Sequence, residues 1–274
     1  MTDSFVESIS KNLELFEVQL FEASLGNLKI KEDPLRYNNF AYSFRELTRH
    51  ILKRLAPDAE VKNCQWYVEE QEVITRINRM KYAVQGGLTS EFLQDELLVN
   101  TPQITKAFKK VIDKLSKYTH IEENSFNIDA SIGDIMVENS LKALADFLDT
   151  IELYKEDIKR AYIKRVYQSI IEAITSDTIN EIDILATNYS IDEIYIEDVY
   201  IDSINSSLLL VNIAGIVDVE HQYGSNRDFR NGDGIRMSMS HPFNIELQID
   251  VITPLEIDIE IDDIKVDNSG FYDE

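Results

Sequence analysis

The hydrophobic period of this chain changes once, near residue 176, and that change limits the fold more than any other feature. Up to about residue 176 the apolar residues recur every three or four positions, which is the spacing of amphipathic helices. Beyond it, Ile191-Asp-Glu-Ile-Tyr-Ile-Glu-Asp-Val-Tyr-Ile-Asp and Leu255-Glu-Ile-Asp-Ile-Glu-Ile-Asp alternate at about every second residue. Such alternation turns carboxylates toward water and isoleucine toward a core, as in a half-buried strand. The expectation is an α+β chain: an all-α helical domain at 1–176, then an acidic antiparallel β domain at 177–274 in the form of a small sandwich or curled sheet.

Within the first half, Leu13, Phe16, Leu20 and Ala23 predict a helix over 4–24, and 36–55 reads as the next, with Pro57 behind it. A third is expected over 68–82, before the break at Gly86-Gly87. Thr101-Pro102 reads as an N-cap with proline in the first turn of a helix over 102–118. Its apolar side carries Ile104, Phe108, Val111, Ile112 and Leu115. Ser131-Ile-Gly-Asp134 has capping-box spacing and opens a long helix with Leu141, Leu144, Phe147, Leu148 and Ile151 as its stripe. In the second half, 206–219 and 243–252 are further apolar or alternating runs, flanking a loop at 223–234 rich in Gly, Asn and Asp. About five strands are expected.

The 274 residues are 44% hydrophobic, enough for a sizeable core, and the single cysteine, Cys64, rules out a disulfide framework within the chain. The N-terminal MTDSFVESISKNLELF lacks a basic segment followed by an apolar one, and no run is long enough to span a membrane. A cytoplasmic protein without membrane partners is therefore expected. The net charge of −23 speaks against nucleic acid only as a total. Residues 27–120 carry +4, whereas 1–26 carry −4 and 121–274 carry −23. A cationic helical region on an acidic body permits an anion-binding site, although an acidic tail that keeps the chain soluble is the plainer account.

Phe44-Arg-Glu-Leu-Thr-Arg-His-Ile-Leu-Lys-Arg-Leu-Ala-Pro57 holds the main chemical candidate, Arg45-x4-His50. RNA cleavage without metal needs a group to take the 2′-hydroxyl proton and a cation to stabilise the phosphorane. Histidine and arginine suit these two tasks. On one helix the two residues stand about 140° apart, so joint action calls for two copies of the helix facing across a two-fold axis, and a homodimer is expected. Arg49, Lys53 and Arg54 are candidates to hold the backbone. The plainer account is a solvated basic helix face. A second match, Arg236-x4-His241, falls in the strand-rich half, where the pattern carries no such meaning.

His120 ends a helix carrying Lys106, Lys109, Lys110 and Lys114, and is a possible second acid or base; a histidine favoured by the helix dipole is the plainer account. Trp66-Tyr67 and the tyrosines of 154–167 could stack bases, though aromatics at helical spacing usually pack in a core. Asp228, Asn231 and Asp233 hint at calcium without the EF-hand spacing, so a hairpin loop is expected there and no metal or other cofactor is assigned. The P-loop, dinucleotide-binding, zincin and nucleophile-elbow motifs are absent.

The Arg-x4-His pattern on a helix resembles that of the HEPN ribonucleases, an all-α family, with Glu46 a departure from their small polar residue after the arginine. A wider set of segments is similar to the predicted pPIWI-associating nucleases, bacterial proteins proposed to act in defence against phages and mobile elements. These are 44–58, Lys62-Asn-Cys-Gln-Trp-Tyr67, Tyr82-Ala-Val-Gln-Gly-Gly-Leu88, Lys117-Tyr-Thr-His-Ile-Glu-Glu123 and Val217-Asp-Val-Glu-His-Gln-Tyr-Gly-Ser-Asn226. The resemblance implies a HEPN-like helical bundle, RNA or another nucleic acid as ligand and an operon-encoded defence partner. It also implies a hydrolase using Arg45 and His50. A non-catalytic binding module of a defence complex is the alternative.

Overall fold

The computed structural model describes residues 2–68, 73–97 and 101–272. The chain forms two compact units, Met1–Glu156 and Asp157–Glu274. The division falls inside the long helix that ends at Ser176, where the expected domain boundary stood.

The first unit is helical: α1 (Thr2–Ser10), α2 (Leu15–Lys29), α3 (Arg36–Leu55), α4 (Asp58–Asn63), α5 (Arg76–Gln85), α6 (Ser90–Leu97), α7 (Thr101–Thr119) and the beginning of α8 (Ala130–Ser176). The single helix expected over 4–24 is two. A turn at 11–13 separates them, and the backbone N–H of Glu14 donates to the Glu17 carboxylate, 3.0 Å away, capping the start of α2. The helix expected over 68–82 begins instead at Arg76, capped by Thr75, whose hydroxyl accepts from the Asn78 N–H; positions 69–72 of that expectation lie outside the described residues. The expected cap by Thr101 and the placement of Ile104 likewise fall on side chains outside the description.

Helix α3 is the hub, packed against α2, α5 and α7. Phe40, Phe44, Leu47, Ile51 and Leu52 are all buried on it at 3.6-residue spacing. Each such side chain contributes roughly 1.5–3 kcal/mol by leaving water. Phe44 packs between Phe40 and Phe21, with ring centroids 5.1 and 6.4 Å away. The buried Asn38 amide donates to the carbonyls of Tyr118 (2.8 Å) and Ser125 (2.9 Å), fixing the end of α7 on α3.

Ser131 and Asp134 do not form the expected capping box. Asp129 does the capping, accepting from the Ser131 N–H at 2.8 Å. Asp134 accepts instead from the Tyr37 hydroxyl at 2.7 Å. The Tyr37 ring lies where a Cβ at Gly133 would stand, only 2.3 Å from it, so glycine here serves close approach of the ring to α8.

The second unit comprises the end of α8, α9 (Asn180–Asp183), β1 (Asn188–Ile204), β2 (Leu208–Tyr223), α10 (Asn226–Asn231), β3 (Ile235–Asp250) and β4 (Lys265–Val266). The strands form one open antiparallel sheet in the order β1-β2-β3-β4. Three bulges interrupt β1 and add twist at that edge. On the buried face, Val199 pairs with Ile213 and Ile213 with Ile245. Four strands are described rather than about five, because the alternating run at 255–262 joins no ladder: it passes into a 3-10 turn at Ile261–Asp263. Alternation favours an extended chain, but a strand also needs a hydrogen-bonding neighbour. The loop at 223–234 joins the paired strands β2 and β3, the hairpin connection expected, with a short helix inside it. That helix, α10, is capped by Ser225, and Asp228 is occupied in that cap, accepting from the Ser225 N–H at 2.6 Å and its hydroxyl at 2.7 Å.

No described helix is long and apolar enough to cross a membrane.

Candidate functional site

Arg45 and His50 lie on the same helix but serve different neighbours. Arg45 points to the α7 side, where its Nη1 donates to Thr119 Oγ1 at 3.2 Å. Its Nε is buried with no hydrogen-bond partner among the described residues. His50 lies toward α2: its ring meets Phe16 edge-on, centroids 5.0 Å apart, and its Nε2 is 3.1 Å from Arg49 Nη2. The helical geometry that separates them in sequence thus keeps them apart within one chain.

The proposed backbone-holding residues divide the same way. Arg49 pairs with Glu46 at 2.8 Å. Lys53 is exposed. Arg54 turns inward to bind Glu17 at 2.8 Å and the carbonyl of Asn12 at 3.0 Å, so its donors are engaged in holding α2 on α3.

Cations converge instead around α7. Arg76 on α5 is 3.9 Å from Asp113, and Lys109 is 2.5 Å from the same carboxylate. Burial lowers the Arg76 pKa, and the nearby Arg45 guanidinium lowers it further, against the opposing pull of Asp113 and Glu46. Arginine stays charged through such a shift, so Arg76 keeps its charge beside Arg45 while both nearby acids are already engaged, Asp113 by Lys109 and Glu46 by Arg49. Lys106, Lys109, Lys110, Lys114 and Lys117 fall within about 140° of the α7 surface and line a shallow groove with Asp113. His120 follows directly after Thr119 and is exposed, its carbonyl held by the Ser125 hydroxyl at 2.9 Å. The structure therefore sets Arg76 near Arg45, which holds the end of α7, and against the Asp113–Lys109 pair, and leaves His50 out. Sequence reasoning named the α7 lysines without joining them to Arg45, and it missed Arg76, which lies 31 positions from Arg45 on another helix.

Trp66 and Tyr67 border a groove of about 520 Å³ that also reaches Arg76, Asn78 and Lys109. Both are half-buried against Ala56, Val61, Cys64, Ile74 and Tyr82, so packing and groove lining coincide in them. The Trp66 indole N–H donates to the Gly86 carbonyl at 2.9 Å, and Lys81 Nζ sits 4.3 Å from the ring centroid. Cys64 is buried nearby. Burial and the adjacent Glu60 push its thiol up to about 12, which leaves it inert as a nucleophile.

The strand-rich unit holds a second pair that sequence reasoning missed. His221 on β2 and His241 on β3 are both buried, with Nε2 atoms 3.0 Å apart. Only the strand register could have revealed it, since it places Val217 opposite His241 and Met237 opposite His221 on one face. His221 Nδ1 and the Tyr223 hydroxyl are buried there without described partners. Burial lowers the pKa of both histidines from 6.5; the neighbouring His241 adds to this for His221, while Asp267 opposes it for His241. In the folded state the imidazoles resist protons that the unfolded chain accepts. Stability is therefore complete above pH 6.5 and falls as pH drops below 6.5 toward the lowered folded values. Between pH 7 and pH 5 the thermal midpoint should fall, and in His221→Gln/His241→Gln the fall should be shallower. An unchanged pH dependence in that variant would remove the pair from the account. Among the described residues, no three His, Cys, Asp or Glu side chains are grouped to hold a metal ion.

Comparison with known proteins yields two family-model matches, each described as "Predicted pPIWI-associating nuclease": one over residues 8–144, the other over 151–272. No curated protein and no solved structure matches the chain. Every cation of the α7 cluster lies in the first matched segment and both buried histidines in the second, and on the extent of these matches the chain belongs to the predicted pPIWI-associating nuclease family.

Proposed function

We propose that this protein is a nuclease whose helical unit grips a nucleic-acid backbone along α7 and cleaves RNA without a metal ion. The observation that carries the reading is Arg76 set beside the Arg45 guanidinium and against Asp113, which Lys109 already binds, next to a row of lysines. Like charges so placed repel one another, and a phosphate relieves that repulsion. In this reading Arg45 and Arg76 steady the charge that builds on phosphorus, and the α7 lysines hold the flanking phosphates. His120, one residue beyond the Thr119 that Arg45 binds, moves protons: a 2′-hydroxyl loses its proton, the 2′-oxygen attacks phosphorus, and the 5′-oxygen leaves with a proton. His50 enters only in a homodimer, where a second copy would bring it to the cleft. The family description supports association with a pPIWI-type protein; a cytoplasmic defence setting is part of this proposal.

The test is incubation of the full chain with single-stranded RNA, and with DNA of the same sequence, in the presence of a chelator. RNA should be cut and DNA spared, because DNA lacks the 2′-hydroxyl. His120→Ala should slow cleavage roughly tenfold or more. An inert protein, alone and with its pPIWI partner, overturns the reading; equal cutting of DNA, or full activity in both His50→Ala and His120→Ala, overturns the mechanism. The separation of Arg45 from His50 within one chain favours a second reading, a binding module without catalysis, whose mark would be tight RNA binding with no cleavage under any condition.

A further inference from the structure

The side of α7 away from Arg76 borders an apolar groove shared with the first third of α8. It has two lobes, of about 470 and 400 Å³, joined through Val111 and Asn139. The floor is built from Val111, Leu115, Met136, Phe108 and Phe147, with Phe108 and Phe147 stacked at 4.5 Å. Ile132 and Ile135 stand in it 54% and 60% exposed, at the start of α8 where the dipole, cap and Tyr37 contacts leave them unused. A contiguous apolar strip with exposed isoleucines is a recognition surface rather than a scatter of single residues.

The rim decides what fits. Lys114 and Lys117 border one lobe, and Lys142 borders the other. Among the described residues lining the two lobes the one acid, Asp146, is held by Lys142 at 2.6 Å. The rim of the first lobe is therefore cationic, and that of the second is balanced, over an apolar floor. From Ala107 to Tyr118 the groove follows α7 for about 17 Å, three helical turns. An occupant of that length, apolar on one side and negative at its flanks, is an amphipathic helix.

We infer that this groove binds an acidic amphipathic helix of a partner protein, about three turns long, with Leu, Ile or Phe anchors at i, i+3 or i+4, and i+7 and with Asp or Glu beside them. The lysines steer the helix in and set its register, and burial of Ile132, Ile135 and the floor supplies the affinity. Nucleic acid does not suit this surface, since the Phe108 and Phe147 rings are buried against each other and offer no open face for a base to stack on. The groove shares Lys114 and Lys117 with the proposed phosphate-binding row, whereas its apolar floor takes no part in the proposed cleavage.

The test is selection of a displayed library of random amphipathic helices of 12–16 residues against the full chain, read against Ile135→Glu. Ile135 is exposed, so this variant keeps its melting temperature, and Lys142→Ala provides a second variant that changes the rim outside the phosphate-binding row. The expected result is enrichment of acidic helices that bind at least tenfold more weakly to each variant and lose affinity as salt rises. Failure to enrich, enrichment of basic or uncharged helices, or binding indifferent to Ile135→Glu overturns the inference. So does a concentration-dependent dimer of the full chain that Ile135→Glu abolishes, since a second copy then covers the groove. Loss of RNA binding in Ile135→Glu overturns it as well, since nucleic acid then occupies the groove.

Discussion

Replacing Glu17 by alanine is expected to cost the helical unit about 3 kcal/mol of stability, the low end for breaking a buried ion pair. Glu17 is an acid in an interior position, its side chain only 5% exposed. It accepts from Arg54 Nε and Nη2, the closest contact being 2.8 Å, and from the Glu14 backbone N–H at 3.0 Å. Its loss would uncap α2 and leave Arg54 with a single described acceptor besides the distant Glu14, the Asn12 carbonyl. Because Arg54 is 27% exposed, water recovers part of that loss, which holds the figure near the low end. Glu17→Gln should lose about half as much, since the amide oxygen still accepts. Glu14→Ala should lose less than about 1 kcal/mol: its carboxylate is 71% exposed and 3.8 Å from Arg54. Chemical denaturation of the three variants checks the ranking, and equal losses at Glu14 and Glu17 would contradict it.

Lys106→Glu/Lys110→Glu is expected to lower affinity for single-stranded RNA roughly 100-fold at low salt. Both lysines are exposed one turn apart on α7, so the exchange should leave the core untouched. It replaces two phosphate-neutralising groups by two that repel phosphate, beside the Arg45–Arg76–Lys109 cluster. The α3 lysine offers the contrast. Lys53→Glu should change binding by no more than about threefold, because Lys53 is exposed near Asp58 on α4 and does not line the α7 groove.

The division of the chain into helix and sheet was legible because hydrophobic period alone separates them. Phe40, Phe44, Leu47 and Ile51 lie on one face of α3, as their spacing requires. The break before Leu15 was not legible, since it rests on Glu14 and Glu17 acting as a cap where Ser, Thr or Asp usually stands. Nor was the fate of 255–262, because alternation says nothing about whether a neighbouring strand is within reach. The same limit applies to the candidate site. Arg45 stood out within a local motif, whereas its relation to Arg76 and Asp113 arises from three helices packing together. His50 was chosen for its sequence distance from Arg45, yet a helix places that distance around its circumference. The His221–His241 pair depends on register across two strands, which local pattern cannot supply.

Salt dependence tests the central claim, that the α7 face meets phosphate, most directly. The affinity of the full chain and of Lys106→Glu/Lys110→Glu for one single-stranded RNA would be measured from low to physiological salt. If the five lysines neutralise five phosphates, log affinity should fall against log salt with a slope of about −3.5, and the variant should bind weakly with a slope near about −2. A flat wild-type response, or a variant slope equal to that of the wild type, would contradict the account.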